Sequence, residues 1–286
     1  MSRLGQYAQR ELRRALARLG NVGLSGLVRA IWRALALNLG RPAVASRSRP
    51  ERVVITLSTT PPRATSLGTT LRSLLDQSEP ADRVLLALPF VTRGGAPYAD
   101  AQSIALPAGV DVLRCTDEGP ATKLLPALQE EPEALLIVVD DDVIYPRNFV
   151  ETLLREHRLR PDAAIGYRGV RLSRGVAFSN LDHVFATGIS EPAQVDVLFG
   201  TWGYLLPVGA FDEDVFKLDT APAEMRWVDD IWFSGQLARR GVPRWVVSAD
   251  QLPLDSFNAL RSSLTGGVNA SGHNDETGLR YFWDSW

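Results

Sequence analysis

The chain has 286 residues, 45% of them hydrophobic and 22% charged, enough apolar content to bury a large core and an ordinary charge level for a globular protein. Its single cysteine, Cys115, excludes an internal disulfide framework and a thiolate zinc cluster. The net charge of −2 hides an asymmetry: residues 1–50 hold ten arginines and one acid, a charge of +9, whereas the other 21 bases and 32 acids give the body −11, which argues against nucleic acid as a partner because phosphates need a basic surface.

In the basic head, Leu4, Tyr7, Ala8, Leu12, Ala15, Leu16 and Leu19 recur at helical spacing, and Leu27, Val28, Ile31, Trp32, Leu35 and Leu39 repeat the pattern. Asn21, Gly23 and Gly26 predict a break between two helices. The head lacks the compact apolar core and small-residue cleavage site of a secretory signal. A membrane span over residues 21–40 would place Arg29 and Arg33 near its middle, at roughly 2.5–3.5 kcal/mol each. Four residues apart, the two arginines share a face, which suits a helix lying on an anionic membrane surface. Packing on its own domain or on a second copy is the alternative. Pro42, Arg47, Arg49 and Pro50 read as a linker, which gives a basic helical segment at 1–50 and a main domain at 51–286.

Residues 52–58 are β-branched and apolar and end at Thr59, Thr60, Pro61 and Pro62, predicting a buried strand that enters a loop. Leu67, Leu71, Leu74 and Leu75 predict a helix over 64–77. Strands follow at 83–88 and 110–114, then a short helix introduced by Gly119 and Pro120. The uninterrupted apolar run at 134–139 suits the middle of a parallel sheet covered on both faces. Beyond it come a helix from Pro146 to about Leu159, a short apolar segment at 163–167, a polar loop at 168–195, one strand with a tight turn at 195–207, a helix at 228–240 and a strand at 244–248. The alternation predicts an α/β fold with one doubly wound, mostly parallel sheet, whose ligands bind beyond the carboxyl ends of the strands.

Asp140, Asp141 and Asp142 come directly after the most apolar strand. In extended backbone the side chains of Asp140 and Asp142 project to one side and Asp141 to the other. Three adjacent carboxylates repel one another unless something positive binds, and hard oxygen donors select magnesium or manganese. A cap for the next helix would need one aspartate, not three.

The segment LLIVVDDDVIYP resembles the DxD segment of GT-A glycosyltransferases, and RWVDDIWFSGQLARRGVPRWVV at 226–247 resembles that family's late acidic motif. The resemblance spans about residues 52–248. It implies a GT-A fold and transfer of a sugar from a nucleotide-diphosphate donor to a hydroxyl of a glycan or glycolipid acceptor, with inversion. The setting it suggests, together with the basic head, is surface polysaccharide synthesis in the cytoplasm, at the inner face of the cell membrane.

By the same resemblance Asp140 and Asp142 hold Mn2+ or Mg2+, Asp140 and Asp141 lie near the nucleotide, and Asp230, with Asp229 as second choice, is the general base. Thr59 and Arg63 would contact the nucleotide. Asp117 and Lys123, flanking a turn, would meet the base or ribose and the diphosphate. Gly200, Trp202, Gly203 and Tyr204 resemble the acceptor-side segment, where glycines let backbone approach a sugar and an aromatic face stacks on it. His273, near Asn269 and Asn274, is a candidate third metal ligand.

Other nucleotide-binding classes fit less well. No G-x-G-x-x-G turn follows the first strand, and no G-x-x-x-x-G-K-[ST] occurs. A nucleotidyltransferase shares the acids and the sheet but usually carries a glycine-rich basic loop after the first strand, where this chain has Thr-Thr-Pro-Pro-Arg. A catalytically silent, membrane-associated scaffold that keeps the fold for binding is the reading from outside the enzymes.

Overall fold

A computed structural model describes residues 28, 31–37, 49–98, 100, 104–255 and 272–286. Two compact units, Met1–Arg41 and Pro42–Trp286, divide the chain. In the first, residues 31–37 are helical, as the second apolar repeat predicts. The first repeat, most of the linker and Asn269 lie outside the described residues.

The second unit begins with strand β1 (Val53–Ser58), a 3-10 turn at Ala64–Ser66 and helix α1 (Gly68–Leu75). Strands β2 (Arg83–Pro89) and β3 (Val110–Cys115) follow, then a 3-10 turn at Gly119–Lys123 running into α2 (Leu125–Glu130). The most apolar run forms β4 (Leu135–Val138), with a short β5 (Val143–Ile144) and α3 (Phe149–Leu159) after it. Beyond these lie β6 (Ala164–Gly166), β7 (Arg168–Arg171), β8 (Asp182–Phe185), β9 (Ala193–Gln194), β10 (Val197–Leu198) and β11 (Tyr204–Leu206). Helix α4 (Asp229–Arg239), β12 (Arg244–Val246), β13 (Leu254–Asp255) and α5 (His273–Tyr281) complete the unit.

Eight strands form the main sheet in the order β3-β2-β1-β4-β11-β6-β12-β9. The half built from β3, β2, β1 and β4 is parallel, and β11 then runs antiparallel between β4 and β6. Because β1 and β4 are covered on both faces, neither shows an alternating pattern. In β1, Val53, Ile55 and Leu57 enter one core with α1 and α3, while Val54 enters the other with α2, α4 and α5. This is the expected doubly wound α/β arrangement, and it brings the ends of β1, β3 and β4 to one edge.

Two expectations are corrected by the observed pairing. Residues 168–195, read as a polar loop, contain β7, β8 and β9; β10, β7 and β8 make a separate three-stranded sheet. Residues 195–207, read as one strand, split into β10 in that small sheet and β11 in the main one. The glycines and polar residues between the short strands hid both. The tail includes α5, which packs on α4: a Cβ on Gly235 would fall on the Phe282 ring, so the ring occupies that space.

Phe282, at the end of this contact, is 1% exposed. Phe282→Ala is expected to cost about 3–5 kcal/mol, read as a lower denaturant midpoint at unchanged m-value in urea unfolding.

Candidate functional site

Three carboxylates and one ammonium meet at the carboxyl edge of the main sheet. Lys123 closes the 3-10 turn after β3, and its carbonyl accepts a hydrogen bond from Thr56 Oγ1 of β1 at 2.7 Å. The Lys123 side chain, 12% exposed, sets Nζ 3.0 Å from Asp229 Oδ2 and 3.4 Å from Asp140 Oδ1. Asp140 follows β4. Asp229 and Asp230 open α4, where the helix dipole favours acids. The Gly200 N–H donates to Asp230 Oδ1 at 2.8 Å.

Electrostatics in this cluster follow from the count of one cation against three anions. Burial alone would pull the Lys123 ammonium down, but Asp229, Asp140 and Asp230 hold its pKa well above the ordinary value. Burial pushes Asp140 up, with Lys123 opposing and Asp141 and Asp229 reinforcing. Burial, then the charge of Asp229, pushes Asp230 up to about 7, against the pull of Lys123 and the Gly200 N–H. A carboxylate in that range accepts a proton at neutral pH far more readily than an ordinary aspartate.

Two buried polar atoms here lack a hydrogen bond among the described residues: the Tyr204 hydroxyl, and Asp229 Oδ2, which touches the ammonium without a hydrogen-bonding angle. Such atoms are costly to leave unpaired. Tyr204 lies at the start of β11 and is 2% exposed. Burial raises its pKa well above normal, keeping the hydroxyl protonated. A buried ring cannot offer its face to a sugar, so the expectation of Tyr204 as a stacking platform is corrected: its polar end is what faces the cluster's charges.

A second ionic cluster lies beside the first. Asp141 is buried; its Oδ2 accepts from Thr59 Oγ1 at 2.6 Å and its Oδ1 from Arg63 Nη1 at 2.8 Å. Thr70 Oγ1 donates to the Asp141 carbonyl at 3.1 Å. Arg63 also places Nη2 3.1 Å from Asp142 Oδ2. Thr59, Arg63 and Asp141, expected at the nucleotide, thus tie the loop after β1 to the loop after β4. The alternation read from extended backbone has a counterpart in this division of Asp140 from Asp141, but Asp142 does not join Asp140; Arg63 draws it to Asp141's side.

The remaining candidates are scattered. Asp117 accepts from the Gly119 N–H at 2.8 Å and from the Arg93 N–H at 3.1 Å, bracing its own turn. Trp202 is half-buried with φ 74, which no other non-glycine among the described residues shares in sign, and its ring meets Phe185 edge-on. Gly203 has φ 87, and a Cβ there would stand 2.8 Å from Phe149 and 3.0 Å from the Val138 carbonyl. His273 is 63% exposed, with Nε2 3.6 Å from Glu224. One contributor escaped the sequence reading: the hydroxyl of buried Tyr145 accepts from the Asp140 N–H at 2.9 Å and fixes where the first aspartate turns. Its only signal was its place three residues past the aspartates.

The expected metal ligands Asp140, Asp142 and His273 contact Lys123, Arg63 and Glu224 respectively. Among the described residues no group of three or more His, Cys, Asp or Glu could hold a metal ion. Magnesium, however, takes as few as one or two protein carboxylates when phosphate and water supply the rest. Asp140, partly exposed in a cluster with an excess of negative charge, fits that demand; Asp142 and His273 are engaged elsewhere.

Among solved structures the chain is similar to a CMP:2-keto-3-deoxy-manno-octonic acid synthetase complexed with CTP, at 12% identity and a TM-score of 0.46, over 74% of this chain and 96% of that one. No protein-family model matches the chain, and no curated protein matches it in sequence.

Asp141 holds its loop through two side-chain partners in a buried place. Breaking such a pair costs about 3–5 kcal/mol, so Asp141→Ala is expected to lower stability by that order in urea unfolding.

Proposed function

We propose that the chain is a glycosyltransferase that moves a sugar from a nucleotide-diphosphate donor to a hydroxyl of a glycan or glycolipid. The observation that carries this reading is the meeting of Asp140 from the end of β4 with Asp229 and Asp230 from the start of α4 around the Lys123 ammonium. Asp230 supplies the general base: its raised proton affinity suits removal of a proton from the acceptor hydroxyl as that oxygen attacks the sugar. Asp229, whose charge helps set that affinity, is the second choice. Lys123 faces the donor's phosphates.

Magnesium or manganese belongs to this proposal, with Asp140 as the protein ligand and the diphosphate as the other. When bound, such an ion stabilises the leaving diphosphate as a Lewis acid. Asp142 and His273 join the ligand set only by leaving Arg63 and Glu224.

The first forty residues complete the proposal as the part that meets an anionic membrane surface. Val28, Ile31, Trp32 and Leu35 fall at helical spacing and are exposed, Trp32 by 70%, and the +9 charge of residues 1–50 complements anionic head groups. Among the described residues no helix is long and apolar enough to cross a membrane.

A nucleotidyltransferase would use the same sheet and acids, consuming a nucleoside triphosphate and releasing pyrophosphate. Incubation with a panel of nucleotide sugars and, separately, nucleoside triphosphates plus sugars decides between the classes. The transferase reading expects nucleoside diphosphate from a nucleotide sugar; pyrophosphate from a triphosphate would replace it, and no binding of any nucleotide with or without manganese would leave a scaffold.

For the base, Asp230→Asn is expected to keep donor binding and to slow transfer by about 10²–10⁴-fold. In the unaltered protein kcat/KM should climb as pH rises through about 7 and level off above it, because Asp230 works only when deprotonated. A flat profile, or normal turnover by the asparagine variant, removes Asp230 from that role.

For the membrane, deletion of residues 1–48 is expected to abolish flotation with vesicles of anionic phospholipid, which the full chain should show and zwitterionic vesicles should not support. Equal flotation with and without the segment removes the membrane contact.

A further inference from the structure

The resemblance implies that backbone approaches a sugar at Gly200, but the structure puts something else against it. A Cβ on Gly200 would stand 2.5 Å from Lys123 Nζ and 3.0 Å from Asp230 Oδ1. The residue's φ lies outside the left-handed region that Gly203, three positions on, occupies. Backbone conformation therefore does not demand glycine at 200. The space is taken by the ammonium on one side and by the carboxylate that the Gly200 N–H itself holds on the other. Both neighbours are side-chain ends rather than backbone. An added methyl would displace the ammonium, whose stem is flexible, and would leave the turn intact.

Resting on the transferase reading, we propose that Gly200 is a positioning residue for the reaction: its missing side chain is the seat of the Lys123 ammonium, and it keeps that cation between Asp229 and Asp140 and next to Asp230. The amide of the same residue fixes the Asp230 carboxylate. One position thus sets the spacing between the cation that faces the donor and the base that faces the acceptor. Without the seat, the three carboxylates lose their central cation and face the anionic donor uncompensated.

The chain contains two lysines, Lys123 and Lys217, which makes the seat directly observable. Lys217 is 59% exposed. Acetylation of the full chain by an amine-reactive ester, followed by mass spectrometry, is expected to label Lys217 quickly and Lys123 slowly. In Gly200→Ala, with its thermal midpoint near that of the unaltered protein, Lys123 should label at a rate approaching that of Lys217. Unchanged protection of Lys123 overturns the proposal.

The functional half is read by titration calorimetry with UDP and GDP. Gly200→Ala should weaken nucleoside-diphosphate binding by about tenfold, the scale of one lost hydrogen bond to a charged group, and the loss should vanish when Lys123→Met is already present. An equal loss in both backgrounds would mean that the methyl acts through the turn, which also overturns the proposal. Failure of the unaltered protein to bind UDP, GDP or any other nucleoside diphosphate, with or without manganese, would sink the transferase reading instead, and the labelling result would still decide the seat.

Discussion

A lysine ammonium held among three aspartates is an expensive arrangement to bury. Each charge loses hydration, and the attraction within the cluster offsets that loss only where geometry is good. One cation cannot satisfy three anions, so two carboxylates' worth of charge is left over unless a proton or another cation enters. Burial first, and then that surplus through the charge of Asp229, raises the proton affinity of Asp230. Everything else at the sheet's edge is arranged so that the cluster forms: β4 delivers Asp140, Tyr145 turns it, α4 delivers the acid pair, and Thr56 anchors the backbone of the lysine.

Next to it stands an ionic cluster of different character. Arg63, Asp141 and Thr59 are closely paired, with no comparable surplus of charge, and they join the loops after two neighbouring parallel strands. The three consecutive aspartates are thereby divided between two duties. Asp140 goes to the unbalanced cluster. Asp141 goes to the tie between loops, and Asp142 is drawn toward it by the same guanidinium. Strain is concentrated nearby as well: Trp202 holds a left-handed backbone, a conformation that persists only where surrounding contacts enforce it and that is found most often at working sites.

Much of the fold was legible because the parallel half of the sheet announces itself. Strands β1, β2 and β4 are buried on both faces and so read as unbroken apolar runs, and the helices between them keep their leucine spacing. The region after α3 was harder for a physical reason. Its strands are two to four residues long, too short to show a period, and they alternate between two sheets. At the site, the acids and Lys123 could be singled out one by one, since charged residues after apolar strands are conspicuous. Their partners could not. Nothing in the spacing of Arg63 and Asp142 told that they would pair, and Gly200's true neighbour comes from a turn 77 positions away in the chain.

Strands β10 and β11 are separated by five residues yet hydrogen-bond into different sheets. The link between them is a tight turn at the junction of two independent registers, closed by the Gly203 N–H donating to the Gly200 carbonyl at 2.8 Å, and it contains Gly200, Trp202 and Gly203. Adding or removing a single residue there would flip the side chains of one strand or the other to the wrong face. The loop is therefore as constrained in length as a core strand is in composition, and natural variation in this region should be confined to exchanges of side chain at fixed spacing.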